Sequence, residues 1–387
     1  MHTARRTHGF TESVIRMMTR LANEHGAINL AQGFPNFPCP DVLKEAAARA
    51  IRDDVNQYAI TWGAKHLRDA LARKYAEWYG MAVDPETDLT VTCGATEAMA
   101  ATLLAIVDPG DEVIVLEPFY ENYGPDAVLC GATPVYVPIA AGQPLDLDRV
   151  AAAFSAHTRA IIVNTPNNPT GRVLGRAELE AIAELCRRHD AWAVTDEIYE
   201  HILYEGTHLP MATLPGMAER TITISGASKT FSVTGWRVGT IVAPAAVTGA
   251  IRKVHDFLTV GAPAPLQEGI AAAIDTLGPD YYAGLAREYR ERREVLVPAL
   301  QRAGFRCTRP EGAYYVLADF SALSDLADDE FAFRLTREVG VASVPGSSFY
   351  SRPELGRRQV RFAFCKTLPK LEEAARRLDG VRKARLA

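Results

Sequence analysis

The sequence is poor in cysteine, has no long apolar run and carries no strong excess of either charge. Its six cysteines are scattered over 387 residues with no Cys-x-x-Cys pair and no Cys/His ligand spacing. This pattern predicts reduced thiols in a cytoplasmic protein without a metal site. No stretch approaches the roughly 18 apolar residues of a membrane-spanning helix. The polar, basic segment 1–10 also lacks the apolar core of a secretory signal.

The charge balance and the missing nucleotide motifs argue against two further classes of protein. The net charge is −5, and the arginines are interleaved with carboxylates. This distribution disfavours a nucleic-acid-binding face. No Gly-x-Gly-x-x-Gly follows a predicted strand and no Walker A lysine is present, which disfavours a nicotinamide-dependent enzyme.

The order of apolar segments predicts an α/β fold with two domains. Short β-rich segments alternate with helical patterns and predict a mainly parallel sheet. Its seven predicted strands are 88–92, 112–116, 134–138, 159–164, 191–195, 221–225 and 238–242. A long charged helix then leads to further strands and a final helix, 368–386, which indicate a smaller α+β domain. We expect residues 41–279 to form the large domain, and residues 1–40 with 280–387 to form the small one.

Lys229 is the first candidate for chemistry, because it lies just beyond the predicted strand 221–225 with Arg237 eight residues further on. A lysine must be neutral to attack an aldehyde. A partly dry site that already holds cations would lower its pKa and so favour that role. An exposed lysine at a strand end is the plain alternative.

Asp196, Tyr199 and Asn168 are the next candidates. Asp196 ends the predicted strand 191–195, and a carboxylate at the carboxyl end of a parallel strand faces the crevice where α/β folds bind ligands. Beneath pyridoxal phosphate (PLP) it would keep the pyridine nitrogen protonated, while Tyr199 and Asn168 could reach the phenolic oxygen. A helix N-cap for Asp196, and an ordinary Asn/Pro loop for Asn168, would look the same.

Two arginines and one turn could bind anions. Gly94-Ala95-Thr96 lies between a predicted strand and a helix, where free N–H groups favour a phosphate, although an ordinary N-cap fits as well. Arg237 and Arg361 both stand in apolar strand patterns, and a buried arginine needs an anionic partner. A substrate carboxylate at Arg361 would meet that need, as would a structural salt bridge at Arg237.

Taken together, these residues resemble the class I/II aminotransferases of PLP fold type I, over nearly the full length. Within them the chain is most similar to the kynurenine/glutamine/methionine aminotransferase subgroup, with bacterial succinyldiaminopimelate aminotransferases nearby. The motifs that carry the resemblance are Asn29–Pro35, Asn56–Tyr58, Gly94–Ala98, Glu117–Tyr120, Asn164–Gly171, Thr195–Tyr199, Ser228–Phe231, Thr234–Gly239, Glu311–Tyr315 and Val360–Phe362.

The resemblance implies an aminotransferase that moves an amino group between an L-amino acid and a 2-oxo acid, with PLP held by Lys229 as a Schiff base. Asp196 would pair with the pyridine nitrogen, Asn168 and Tyr199 would bond the phenolic oxygen, and Phe119 would stack on the ring. The implied phosphate ligands are the Ala95 and Thr96 backbone, Arg237, and Tyr58 from the other subunit of a homodimer. The implied ligands of the substrate carboxylate are Gly33, Asn168 and Arg361.

Some features stay open at this stage. Gly226 stands three residues before Lys229, so whether Ser225 or Ser228 contacts the phosphate is undecided. Phe10, Phe34, Trp62 and Tyr120 are candidates for the side-chain pocket and suggest an apolar or aromatic substrate. A C–S β-lyase, or a PLP-dependent oxidase or cyclase, could use the same groups. A ligand sensor on this fold would bring an added DNA-binding segment, and we expect none.

Overall fold

A computed structural model describes residues 2–8, 10, 12–139 and 142–381. Within them the α-helices are α1 Val14–Glu24, α2 Asp41–Arg52, α3 Lys65–Tyr79, α4 Ala95–Ile106, α5 Tyr123–Leu129, α6 Leu147–Ala152, α7 Arg176–His189, α8 Ala227–Thr230, α9 Ala245–Thr259, α10 Ala264–Thr276, α11 Pro279–Ala303, α12 Asp328–Arg334 and α13 Leu368–Leu378. The strands are β1 Ile28–Asn29, β2 Leu89–Thr92, β3 Glu112–Glu117, β4 Thr133–Pro138, β5 Thr158–Asn164, β6 Trp192–Asp196, β7 Thr221–Gly226, β8 Gly239–Val242, β9 Arg306–Cys307, β10 Tyr315–Asp319, β11 Val341–Ala342, β12 Val344–Pro345 and β13 Gln359–Ala363.

The large sheet has seven strands in the order β2-β8-β7-β6-β5-β3-β4. Strand β8 is antiparallel to both of its neighbours, and the other pairs are parallel. The predicted α/β class and the mainly parallel seven-stranded sheet are therefore confirmed. Because the parallel strands all end at the same edge, the segments that follow them meet there.

Each face of this sheet is covered by helices, which explains why its strands are apolar on both sides. On β3, Val113 and Val115 pack in the core cluster that includes α4 and α9. Ile114, between them, points to the opposite face and packs in the cluster of α7. The alternation of side chains along a strand thus divides one apolar run between two cores.

A second sheet forms the smaller α+β part, with four antiparallel strands in the order β12-β13-β10-β9. Strand β1 from the amino-terminal segment pairs in parallel with β11, and α1 packs in the same core as α11 and α13. The one strand predicted at 341–344 is instead two short strands, β11 and β12. The exact division into domains at residues 40 and 280 stays a prediction.

The last predicted helix is shorter than expected. Helix α13 ends at Leu378, and a turn follows at Asp379 and Gly380, where a glycine commonly stops a helix. The remainder of the prediction, 382–386, lies outside the described residues. Within the ranges that are described, no helix is both long enough and apolar enough to cross a membrane.

Candidate active site

A cavity of about 140 Å³ lies at the carboxyl edge of the large sheet. Segments that follow β2, β5, β6 and β7 line it together with residues of the smaller sheet. Most of the predicted site residues border it: Gly33, Ala95, Thr96, Asn168, Asp196, Tyr199, Lys229, Arg237 and Arg361. The structure therefore brings together side chains that are more than 300 residues apart in the sequence.

Lys229 lies on the short helix α8, directly after β7, and its side chain enters this cavity. Its Nζ donates to the carbonyl oxygen of Gly33 at 3.4 Å and lies 5.9 Å from the centroid of the Tyr314 ring. Burial, with the nearby Arg237 and Arg361 guanidinium groups, lowers the pKa of Lys229 to about 8. A substantial fraction of this amine is therefore neutral near pH 7.5 and able to attack an aldehyde.

Asp196 ends β6 and is buried. Its Oδ2 accepts a 2.6 Å hydrogen bond from the Tyr123 hydroxyl, and its Oδ1 accepts from the backbone N–H of Ile198 at 3.2 Å. Burial raises the pKa of this carboxyl, although both donors oppose the rise. A carboxylate in this state gains from a cationic partner, such as a protonated ring nitrogen.

Asn168 and Tyr199 are fixed by their neighbours. The Asn168 backbone N–H donates to Oδ1 of Asn164 at 2.8 Å, and the Asn164 side chain also donates to the Asp196 carbonyl at 2.9 Å. The Tyr199 hydroxyl donates to the Tyr315 hydroxyl at 3.1 Å. Burial raises the pKa of Tyr199 well above that of a free tyrosine, so its hydroxyl is a neutral hydrogen-bond donor.

Arg361 is a fully buried arginine on β13. Its Nη1 donates to Oδ1 of Asn168 at 2.9 Å, and its Nη2 donates to the carbonyl of Ala31 at 2.5 Å. Within the described part of the chain, Nε has no hydrogen-bond partner. A buried cation with an unpaired N–H and no carboxylate beside it fits an anionic substrate group.

Gly33 can only be glycine here, because a Cβ would lie 2.0 Å from the Tyr315 hydroxyl. Its carbonyl accepts from the Tyr314 hydroxyl at 3.0 Å as well as from Lys229. The amino-terminal segment is thereby drawn against the cavity, and its backbone is brought beside Lys229.

The amino terminus of α4 forms the other end of the cavity. Ala95 and Thr96 begin the helix, where backbone N–H groups are free of intrahelical partners. Arg237 adopts a left-handed backbone (φ 52°) and lies so near that a Cβ on Gly94 would be 2.3 Å from its Nη2. Free N–H groups, the helix dipole and a guanidinium together fit a phosphate.

Two expectations about these side chains are corrected. Arg237 is exposed rather than buried, and no carboxylate of the described residues pairs with it, so the structural salt bridge is not seen. The Phe119 ring does not face the cavity but stacks on Tyr136 at 5.4 Å in the core beside the sheet. Successive residues of an extended segment point to opposite sides, and the neighbouring Tyr120 lines the cavity instead.

The two serines left open by the sequence differ in their position relative to the cavity. The Ser225 hydroxyl donates to Oε1 of Glu200 at 2.7 Å, away from the cavity, whereas Ser228 lines the cavity beside Lys229. Ser228 is therefore the candidate phosphate ligand of the two.

Several site residues were missed by sequence reasoning. Tyr123, Asn164 and Tyr315 each contact a predicted site residue, as described above. The sequence did contain a signal for Asn164, because this residue ends the predicted strand 159–164 and begins the turn that carries Asn168. The roles of Tyr123 and Tyr315 depend on contacts across 73 and 116 residues, for which the sequence carries no local pattern.

Tyr58 does not border the cavity, and 83% of its surface is exposed. It follows α2 in a segment without regular secondary structure.

The residues present fit PLP at each of its functional ends. The amino terminus of α4 with Arg237 suits the phosphate, buried Asp196 suits the ring nitrogen, and Lys229 suits the aldehyde. Among the described residues, no group of three or more His, Cys, Asp or Glu side chains is arranged so that it could hold a metal ion.

A larger cavity, of about 550 Å³, lies next to this one and shares Tyr123 and Asn164 with it. Neither Lys229 nor Arg361 borders the larger cavity. Its size does not make it the reaction site, because catalysis requires convergent polar groups rather than volume.

Comparisons with known proteins agree with this geometry. The family model described as aminotransferase class I and II matches residues 25–378. A probable N-succinyldiaminopimelate aminotransferase of Mycobacterium tuberculosis is 40% identical over 97% of this chain and 98% of its own length. The methionine aminotransferase of Escherichia coli is 39% identical over 95% of each chain. The human kynurenine–oxoglutarate transaminase 1 is 35% identical over 97% of each chain.

The solved structures give the same result. N-succinyldiaminopimelate aminotransferase from Mycobacterium tuberculosis superposes with a TM-score of 0.95 at 40% identity, covering 98% of this chain and all of its own. Aspartate aminotransferase from Thermus thermophilus with maleate superposes with a TM-score of 0.92 at 35% identity, again with 98% of this chain covered and all of its own.

Proposed function

Because this chain belongs to the class I and II aminotransferases, which use PLP and act on amino acids and oxo acids, we propose that Lys229 is the residue that carries the cofactor and moves the proton in transamination. One observation carries the proposal. A lysine with a lowered pKa and a buried arginine with a free N–H border the same cavity, whose wall also contains a buried carboxylate.

When bound, PLP supplies an aldehyde that condenses with amines and a cationic ring that withdraws electrons from Cα of the amino acid. Asp196 holds the proton on the ring nitrogen, and Tyr123 and the Ile198 N–H keep Asp196 oriented. Asn168 and Tyr199 would donate to the phenolic oxygen, with the Tyr315 hydroxyl then donating to Tyr199 in place of the present bond from Tyr199 to Tyr315. The α4 amino terminus, Ser228 and Arg237 bind the phosphate and fix the position of the ring.

Arg361 orients the substrate by binding its α-carboxylate through Nε and Nη, in a buried position where such bonds are strong. Lys229 Nζ then moves the proton that leaves Cα. Gly33 brings the backbone of the amino-terminal segment close to Lys229 and Arg361, so this segment restricts the access of water to the reacting atoms.

The substrate is proposed as an amino acid with an apolar or aromatic side chain. The relatives are named for succinyldiaminopimelate, methionine and kynurenine, which include both acidic and apolar donors. Three cationic side chains of the described residues border the cavity: Lys229, Arg237 and Arg361. Each is already assigned to the cofactor or to the α-carboxylate of the substrate, which leaves none of them for an acidic substrate side chain. The side chains of Ile15, Met99 and Tyr120 offer apolar contacts instead.

We also propose that the active unit is a homodimer in which Tyr58 reaches the partner's phosphate. Tyr58, Ile60, Phe257 and Leu258 are exposed apolar residues, and Phe257 is 91% exposed. The Thr61 hydroxyl bonds Asp256 at 3.2 Å, which places the Tyr58 segment beside the end of α9. Exposed apolar side chains on neighbouring segments are typical of a subunit interface. The predicted cytoplasmic location rests on cysteine spacing and is kept as part of the proposal.

The test is a half-reaction with the purified holoenzyme. Adding an apolar or aromatic amino acid alone should bleach the absorbance of the PLP form, and adding a 2-oxo acid afterwards should restore it. Release of pyruvate and ammonia from a cysteine conjugate without any oxo acid would instead favour a β-lyase. Unchanged absorbance with every donor would contradict transamination.

A further inference from the structure

His255 is a fully buried histidine on α9 that lies between two hydrogen-bond acceptors. Its Nδ1 is 3.1 Å from each carboxylate oxygen of Glu97. Its Nε2 is 3.0 Å from the backbone carbonyl oxygen of Thr61. A carboxylate and a carbonyl can only accept hydrogen bonds, so each ring nitrogen faces an oxygen that requires a donor.

A neutral imidazole cannot satisfy this arrangement, because it carries one N–H and one lone pair. With the proton on Nδ1, the lone pair of Nε2 would point at the Thr61 carbonyl. With the proton on Nε2, the lone pair of Nδ1 would point at the Glu97 carboxylate. Of the three forms of the ring, only the imidazolium donates to both the Glu97 carboxylate and the Thr61 carbonyl.

The two acceptors belong to the two parts of the proposed phosphate site. Glu97 lies in the first turn of α4, directly after Ala95 and Thr96, and its Oε2 also accepts from the Cys93 N–H at 3.0 Å. Thr61 lies three residues after Tyr58. His255 thus joins the helix end that binds phosphate in its own subunit to the segment that carries Tyr58.

The groups around His255 favour its charge. Asp256 is adjacent on α9, where its negative charge favours the imidazolium, and it accepts from the Thr61 hydroxyl. The Thr259 hydroxyl donates to the His255 carbonyl at 3.4 Å, so its oxygen, 3.3 Å from Nδ1, is free to accept. Burial raises the pKa of the nearby Cys93 thiol, which therefore stays neutral. Burial also opposes a charge on His255, but the hydrogen bond and charge of Glu97 outweigh it and raise the pKa of His255 above its ordinary value.

We propose that His255 is a positioning residue that acts as an imidazolium and holds the α4 amino terminus and the Tyr58 segment in the arrangement that retains the cofactor phosphate. The inference rests on the proposed function, because Tyr58 and α4 are taken as phosphate ligands. Since Tyr58 is proposed to reach the partner, His255 links the cofactor site of its own subunit to that of the other. Loss of its proton would loosen both sites.

The first test measures the protonation of His255 in the unaltered holoenzyme. Long-range ¹H–¹⁵N spectra of protein labelled at histidine should show both ring nitrogens in the protonated state at pH 7. The His255 signals are assigned by their absence in His255→Gln. A spectrum in which one His255 nitrogen carries a lone pair at pH 7 would overturn the proposal, and this result does not depend on whether a variant folds.

The second test compares PLP retention in His255→Gln and in the unaltered protein across pH 6 to 9. At pH 6 the variant should release PLP about tenfold more readily, the typical effect of losing a hydrogen bond to a charged group. The ratio of the two dissociation constants should fall toward 1 as His255 of the unaltered protein loses its proton. Titration of Lys229 and of the phosphate occurs in both proteins and cancels in this ratio.

His66→Gln is the matched control, because His66 also lies between two acceptors, Glu268 at 2.7 Å and Asp275 at 3.1 Å, but on the surface. The ratio of the PLP dissociation constants of His66→Gln and of the unaltered protein should stay near 1 at every pH. A ratio for His255→Gln that is large but independent of pH would indicate a purely structural role and overturn the proposal. If borohydride does not fix PLP on Lys229 of the unaltered protein, the proposed function fails instead, and the two failures are therefore distinguishable.

Discussion

The Tyr123 hydroxyl donates a 2.6 Å hydrogen bond to Oδ2 of Asp196, and both side chains are buried. The carboxylate proposed to hold the ring nitrogen is therefore oriented by a residue on α5, 73 positions earlier in the chain. Replacing Tyr123 with Phe should remove this donor with little change in volume, and so raise the pKa of Asp196 further. We expect kcat to fall by about tenfold, the typical effect of one lost hydrogen bond to a charged group.

The measurement is kcat against pH for Tyr123→Phe beside Tyr350→Phe, a control on a tyrosine outside the cavity. The acidic limb of the kcat profile should move to higher pH only in Tyr123→Phe, because Asp196 must be ionised to hold the proton on the ring nitrogen. Identical limbs in the two variants would show that Tyr123 does not act through Asp196.

Arg361 provides the second prediction. Lysine at this position would keep the charge but lose the planar donor set, leaving the Asn168 and Ala31 acceptors imperfectly paired. Because disrupting a buried charged hydrogen-bond set costs about 3 kcal/mol, kcat/KM for any α-amino acid should fall about 100-fold in Arg361→Lys. Arg357→Lys, an exposed neighbour, serves as the control. An equal KM in both variants would remove Arg361 from carboxylate binding.

The shared site is tested with mixed dimers. A Tyr58→Phe homodimer should retain PLP poorly, and a Lys229→Ala homodimer should be inactive. In a hybrid of the two, one site combines an intact Lys229 with an intact Tyr58 from the partner. Refolding the two variants together should therefore restore activity to about a quarter of the unaltered level, since about half of the dimers are hybrids with one complete site. Activity no higher than that of the Tyr58→Phe protein alone would indicate that Tyr58 does not act across the interface.

Asp126 yields a prediction about stability. Its carboxyl is buried beside the cavity, its Oδ2 has no hydrogen-bond partner among the described residues, and burial raises its pKa to about 7. A pKa that is higher in the folded state contributes stability below about pH 4, and that contribution is lost as the pH rises through about 7. Asp126→Asn does not titrate and should escape this loss.

The measurement is urea unfolding of Asp126→Asn and of the unaltered protein at pH 5 and pH 8. The difference in unfolding free energy should shift in favour of the variant by about 3 kcal/mol between the two values. Asp148→Asn, at an exposed position, should show no such shift. A difference that does not change with pH would show that Asp126 titrates normally.

Much of the fold and of the site was predictable because the signals are local. Lys229, Asp196 and Asn168 all follow apolar strands, and parallel strands deliver such residues to one edge. The position of Arg361 was likewise indicated by an arginine in an apolar strand. These features depend on strand periodicity and on the cost of burying a charge, both of which can be read from a few residues.

The remaining features depend on which way a side chain points and on long-range contacts. Phe119 and Tyr120 are adjacent aromatics, and the sequence does not determine which of them faces the cavity. Arg237 is in an apolar pattern, yet it is exposed, has a left-handed backbone and borders the cavity beside Gly94. The partners of Asp196 and His255 come from distant segments, so only the assembled fold shows them.

The central claim is that Lys229 carries the cofactor, and chemical trapping tests it most directly. Borohydride reduction of the purified holoenzyme followed by peptide mass spectrometry should place a pyridoxyl phosphate group on the Nζ of Lys229. The same treatment of Lys229→Ala should leave the protein without a label. A label on another lysine, or none on the unaltered protein, would contradict the account.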